Sequence, residues 1–503
     1  MSDETDPTRR WLLNASGAAI LSGAIPITAS RAQTATATAP GALADAIAEP
    51  SSISPAASAL AGYVANTLDR DLPAEVVART KLHVLDTLAA MVSGSRLKAG
   101  ELAARYVDSL GGKPQAMVIG SRIVTSPVNA ALANAMAAHA DETDDTNPSI
   151  GPVHLGCGAV SAALATAELA GRSGQALLRA VTAAYDVGAG IGLALGLGQG
   201  SRARHSPSCL MTTFVAAAAA AAMLRLDPRQ VRHTLSYAAQ QASGIGSWTR
   251  DHEHVEKAFD FAGMGARNGV MAATMVALGF SGVDDPFVGE ENIYTALGEK
   301  PAPEQLLADL GSRRAVFGTT IKKWTVGAPL QSVLDSTAAL LEDPGVRADN
   351  VKHIRVDMPT ASMRIVDNST SPDLCLQHLV ALMIVDRGAT FASVHDVARM
   401  SDPKVLAVRK LVELVPSQEL QMAVPARQAI VRIETADGHS LSHRTSVVRG
   451  TAGNPMDAKE VEAKAFDLTA PVLGAERARE LIATVGNLER LDAVSGLRRL
   501  LQA

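Results

Sequence analysis

Apolar residues three and four positions apart dominate the chain from about residue 54 to 318. "AASALAGYVANTLDRDL" and "AEVVARTKLHVLDTLAAMVSGS" carry this spacing, with Pro73 at a helix start and Gly94 near a stop. "PVNAALANAMAAHADE", "GAVSAALATAELAG" and "GQALLRAVTAAYDVGAGIG" continue it. "SCLMTTFVAAAAAAAMLRL" is apolar for most of its length, but alanine is weakly hydrophobic, so it predicts a central, closely packed helix and not a membrane span. The texture changes near residue 319. "VKHIRVDMP" alternates like a strand, and "RQAIVRIETADGHSLSHRTSVV" reads as two strands around an Asp437-Gly438 turn, with helical stretches such as "CLQHLVALMIVDRG" between them. From residue 455 to 503 the pattern is helical again and predicts a segment that packs back on the first part. The expected organisation is mostly α: helical residues 54–318, a smaller α+β unit at 319–454, and a helical return at 455–503.

The first residues read differently. Arg9 and Arg10, the Trp11-Leu12-Leu13 run, an apolar stretch and a small-residue site ending at Ala32 predict a twin-arginine export signal over 1–32. Residues 33–53 are small and polar, as a linker is. This reading implies a periplasmic protein; a basic N-terminus before a short apolar helix would leave it cytoplasmic. "DVGAGIGLALGLGQG" lacks the dinucleotide-loop spacing and follows a helix, so it is set aside.

Composition narrows the classes. With 503 residues, 47% hydrophobic and 3% aromatic, the chain has material for a large helical core. A formal net charge of -5 and the lack of a basic stripe argue against nucleic acid as a partner. Cys157, Cys209 and Cys375 lie far apart, fit neither a disulfide framework nor a metal motif, and read as buried thiols.

Against this mild background "HADETDDTNPSIGPVH" stands out, with Asp141, Glu142, Asp144 and Asp145 between His139 and His154. Crowded carboxylates repel, and two readings stay open: a solvated loop with Asp144 or Asp145 capping a helix, or a site. Thr146 offers a hydroxyl, Asn147-Pro148 forces a turn, and "GPVHLGCG" presents His154 on a glycine-flanked loop. In "SRARHSPSCL", His205 lies between arginines and a helix start, where Arg202 and Arg204 suit an anion site or simply an exposed capping loop. "HEHVEKAFDFAGMGARNG" places Lys257 before a glycine-rich helical segment; His252 and His254 are only a weak metal motif. "TTIKKWTVGAPLQS" puts Lys322 and Lys323 at the change of texture, where clefts commonly form.

In this order and spacing, "LDTLAAMVSGS", "NAMAAHADETDDT", "RHSP", "KAFDFAGMGARNG" and "IKKW" resemble the MmgE/PrpD family over nearly the whole mature chain. The resemblance implies a large all-helical domain with an inserted smaller α+β lid domain, a homodimer, and dehydratase, decarboxylase or epimerase chemistry on small carboxylic acids without a cofactor. His139, Asp144, Asp145, Thr146, the loop residue His154, His205 and the two lysines Lys257 and Lys322 match the family pattern. Glu142 stands where an aspartate is usual, Asp260 or Phe261 replaces a common histidine, Trp324-Thr325 replaces an aromatic-proline pair, and Gln331 stands where a histidine is frequent.

The resulting expectation is a metal-free carbon–oxygen lyase of the 2-methylcitrate dehydratase type, acting on a small hydroxy di- or tricarboxylic acid, with epimerisation ranked second and decarboxylation last. His154 is the principal acid/base and His205 its partner. Thr146, Asp144, Asp145 and Glu142 orient the reacting groups, while Lys257, Lys322 and Arg204 hold the substrate carboxylates. The scheme requires Lys257 and Lys322 to reach Glu142. Rivals from other classes are a helical enzyme binding divalent metal through its acids, tested by chelation, and an exported small-acid carrier without turnover.

Overall fold

The computed structural model describes residues 53–151, 153–197, 205–312 and 314–502. The export signal, nearly all of the linker, Arg202 and Arg204 lie outside the described residues.

The helix Pro207–Met223 is the axis of the larger core, and every residue after Pro207 is buried. Around it pack the helices Gly156–Ala170, Gly174–Ala194 and Met264–Ala277. Its alanine run removes bulk from one side of the interface, and glycines remove it from the other. A Cβ on Gly269 would lie 2.4 Å from the amide nitrogen of Ala217, so only glycine lets these two backbones approach. Helix Gly174–Ala194 is long and apolar enough to cross a membrane, yet 83% of its apolar window is buried inside the protein. Two short strands, β1 (Ala116–Met117) and β2 (Val124–Thr125), pair beside helix Pro127–Ala138.

A second hydrophobic cluster runs from Val326 to Ile433. It lies against a sheet of β3 (Val351–Met358), β4 (Val412–Pro416), β5 (Ala429–Thr435) and β6 (Ser440–Thr445), in the order β4-β3-β5-β6. β5 and β6 pair antiparallel around Asp437-Gly438, and β5 pairs antiparallel with β3. β4, which the alternation did not predict, adds parallel to β3. Its half-exposed residues lack the two-residue burial rhythm of a strand with one wet face. Helices Gln331–Leu340 and Leu376–Asp386 cover the sheet.

The return segment supplies helix Ala458–Leu473, which packs on Ala74–Gly94. Between them the buried Lys464 Nζ donates to Asp86 Oδ1 at 2.6 Å and to the Thr143 carbonyl at 3.0 Å. Residues 52–503 form one compact unit. The sheet region is therefore a second core within that unit. Cys157, Cys209 and Cys375 are buried free thiols.

Candidate active site

Helix Pro127–Ala138 ends as His139 leaves helical geometry. Asp141 then accepts hydrogen bonds from the Thr143 amide (2.9 Å) and hydroxyl (2.8 Å), a local turn that competes with the helix. Beyond it the chain runs between two partners: Thr146 bridges antiparallel to Thr320, and Asn147 to Val153. These bridges bring His154 to one flank of the acidic stretch and Lys322 to the other. Residues 139–147 are all buried, so the solvated-loop reading fails.

Asp144 Oδ1 lies 2.9 Å from His139 Nδ1 and 2.9 Å from His154 Nδ1. The His139 contact is a proper hydrogen bond, whereas His154 Nδ1 sits at that distance without hydrogen-bond alignment. The two rings are 4.5 Å apart, and Phe261 stacks on His139 at 4.8 Å. Burial alone would raise the Asp144 pKa, but the imidazoles outweigh it and hold the carboxyl well below the usual range. Burial pushes the His139 imidazole down, opposed by Asp144.

Glu142 is the meeting point of both lysines. Lys257 pairs with its Oε1. Lys322, with 0% exposure, donates to the Glu142 carbonyl at 2.6 Å and lies 3.7 Å from Oε2. Burial opposes ionisation of Glu142, yet Lys257 and then Lys322 hold its pKa well below the ordinary carboxylate value. The Lys257 ammonium also sits 5.2 Å from the Phe261 ring and 5.6 Å from that of Trp248.

The remaining expected residues are placed differently. Asp145 turns away from the histidines: its Oδ2 accepts from Tyr185 Oη at 2.5 Å and lies 3.2 Å from His83 Nδ1, and its Oδ1 accepts from the Gly156 amide at 3.0 Å. It anchors the start of helix Gly156–Ala170 and orients no group of the cluster. Thr146 is buried beside the cluster, held through its backbone. His205 is half-buried, and among the described residues no hydrogen bond or ion pair joins it to His139, Asp144 or His154. Its neighbour Ser206 binds Asp260, whose pKa burial pushes up to about 6. Asp260 lies in the π-helical turn Phe259–Gly263, which also carries Phe261. Gln331 holds the turn after Lys323: its amide donates to the carbonyls of Trp324 (2.8 Å) and Val326 (3.0 Å).

Several participants carried no local signal in the sequence. His395, in the sheet region, reaches Asp141, and Lys464 braces Thr143 from the return helix. The charge of Glu142 also reaches half-buried Arg427, in the turn before β5. His254 was visible only as half of a weak H-x-H motif. Burial and then Lys257 push its imidazole pKa down to about 3.

His139, Asp144 and His154 offer three ligand atoms within 4.8 Å of one another, a set that suits a divalent transition ion in kind. Glu142, the next carboxylate, is already neutralised by two lysines, leaving Asp144 as the anionic ligand. A cavity of about 370 Å³ between the sheet region and the return helix is lined by Lys323, Trp324, Thr390, Glu460 and Asp467, and by none of the histidine cluster.

Two family models match the chain: the MmgE/PrpD N-terminal domain over residues 58–306 and the MmgE/PrpD C-terminal domain over residues 324–490. A cis-aconitate decarboxylase of Aspergillus terreus is 24% identical over 478 residues, covering 88% of this chain and 95% of its own. The human cis-aconitate decarboxylase is 24% identical over 445 residues, covering 85% and 90%. A cis-aconitate decarboxylase-like protein of Aspergillus oryzae is 29% identical over 277 residues, 52% of this chain and 57% of its own.

Proposed function

Because the chain belongs to the MmgE/PrpD family, we propose that it is a cofactor-independent lyase acting on a small di- or tricarboxylic acid. The observation that carries this reading is the convergence of Lys257 and Lys322 on Glu142, beside a carboxylate flanked by two histidines. Taking a proton from, or returning one to, a carbon next to a carboxylate spreads negative charge onto that carboxylate. Preorganised ammonium groups in a buried site stabilise that charge. An ammonium has three donors, so Lys322 keeps capacity for a substrate oxygen beyond the two Glu142 oxygens it faces.

His154 is the principal acid/base in this proposal. Asp144, held ionised, sets its orientation, and His139 shares the same carboxylate oxygen. His205 and Arg204 remain part of the proposal as a second acid/base and a carboxylate-binding cation. The sheet region acts as a lid, since separating it would draw His395 away from Asp141 and open the acidic stretch. Dehydration is the first reaction class. Decarboxylation, ranked last from the residues, is the second reading, favoured by the names of the relatives. The twin-arginine pattern at residues 8–32 supports export to the periplasm, and homodimer formation is proposed from the family.

The test is proton NMR in deuterated buffer, with a panel of hydroxy, amino and unsaturated di- and tricarboxylic acids. Deuterium incorporation beside a carboxylate, or release of water or carbon dioxide, is expected for at least one acid. Tight binding without exchange or turnover would favour a carrier.

A further inference from the structure

His254 contributes nothing to the scheme above, yet its surroundings are costly to build. It has φ 58°, the left-handed region that side chains disfavour. The conformation is clamped by Asp251, which accepts hydrogen bonds from the amides of Glu253 (3.0 Å) and Lys257 (2.9 Å) on either side. His254 precedes the short helix Val255–Ala258 and makes no side-chain cap there, so capping does not explain the residue.

The ring is directed toward the reacting groups. Its centroid is 5.3 Å from that of His139, and its electrostatic neighbours are Lys257, Glu142, His139 and Asp141. His254 Nε2 is sealed from solvent without a protein partner among the described residues, as are His139 Nε2 and Asp144 Oδ2. Buried polar atoms are nearly always paired, and three unpaired ones around a single carboxylate–histidine cluster point to a polar ligand.

We propose that His254 is a further substrate-contacting residue, which hydrogen-bonds an uncharged oxygen of the acid, a hydroxyl group, next to the carboxylate held by Lys257 and Lys322. This rests on the reading of the site as one for small polycarboxylic acids and names the class within it: hydroxy acids in preference to the same acids without the hydroxyl. An imidazole suits the task because it offers a donor or an acceptor while adding no charge to a site that already holds two ammonium groups. Lysine or arginine there would repel both.

The experiment uses two matched pairs of probes, malate with succinate and citrate with tricarballylate, each differing by one hydroxyl. Binding is measured by calorimetry to the purified chain and to its His254→Phe and His254→Gln variants. The wild type is expected to prefer the hydroxy acid of at least one pair by about tenfold or more, since a site built around a hydroxyl rejects the analogue lacking it. His254→Phe is expected to reduce that ratio to near unity, and His254→Gln to restore part of it. A merely structural role would weaken both members of a pair equally and leave the ratio unchanged. Discrimination that persists in His254→Phe, or a wild type that binds neither pair or prefers neither member, overturns the proposal. The lyase reading fails separately, when acids bind with discrimination but no exchange or turnover occurs.

Discussion

His395 Nε2 lies 2.9 Å from Asp141 Oδ2, so the sheet region grips the first carboxylate of the acidic stretch. The other ring nitrogen, Nδ1, bonds the Phe391 carbonyl at 2.9 Å, and Phe391 in turn is held by Asp467 of the return helix. The same Asp141 shapes the turn that presents Glu142 to the two lysines. One ion pair thus ties the second core to the chemistry of the first.

This contact makes stability depend on alkaline pH. Burial would lower the His395 pKa, but Asp141, with Asp373 and the Phe391 carbonyl, raises it to about 9. A folded-state pKa above the unfolded value gives stability that is fully present below about pH 6.5 and lost as pH rises through about 9. The contribution is on the order of 3 kcal/mol. Thermal melts of wild type and His395→Gln should differ at pH 6 and converge by about pH 10; a constant gap would sink the assignment.

Glu142→Gln should be more damaging than its size suggests. It leaves the buried Lys322 and the half-buried Lys257 without their anion, a loss of roughly 3 kcal/mol for a buried pair broken on one side. Urea denaturation should show this, and turnover should fall with it because the lysines lose their common anchor. Lys322→Met should also reduce turnover, and a variant retaining full activity would remove Lys322 from the proposed mechanism.

Neighbouring aspartates should behave differently. Asp144→Asn is expected to reduce turnover by about 100-fold or more, the scale of a disabled acid/base group, with a smaller effect on folding. Asp145→Asn disturbs bonds to Tyr185, His83 and Gly156, so its main effect should be stability, about 1–3 kcal/mol for a compromised buried network. Steady-state kinetics beside thermal melts separates the two, and equal effects on both quantities would mean the acidic stretch works as one unit.

His154→Ala should abolish deuterium exchange on the wild-type substrate, while a chelator should leave the wild-type rate unchanged. Loss of activity in chelator, restored by a divalent ion, would instead assign His139, Asp144 and His154 as ligands.

Much of the helical architecture was legible because its cause is local. The three-and-four spacing from Pro55 to Ala277, the alanine run of Pro207–Met223 and the Asp437-Gly438 turn state their own structures. β4 was not legible, since a short edge strand with half-exposed residues has no periodic signature. The resemblance to a family, carried by motifs in order, agreed with the family models that span most of the chain.

Sequence by itself determined the inventory of the site: an acidic stretch between two histidines, two lysines and a change of texture near residue 319. Tertiary structure decided how those residues divide the work. Asp144 and Asp145 are adjacent and chemically identical, yet the extended backbone through Thr146 points one at His139 and His154 and the other at Tyr185 and His83. No sequence pattern links Asp141 to His395, and the meeting of Lys322 with Glu142, which the family resemblance required, has no local pattern either, because both contacts arise where separate segments pack, and burial then sets their charge states. A carboxylate cluster that would repel itself in a solvated loop becomes stable once lysines and histidines from distant segments are packed against it.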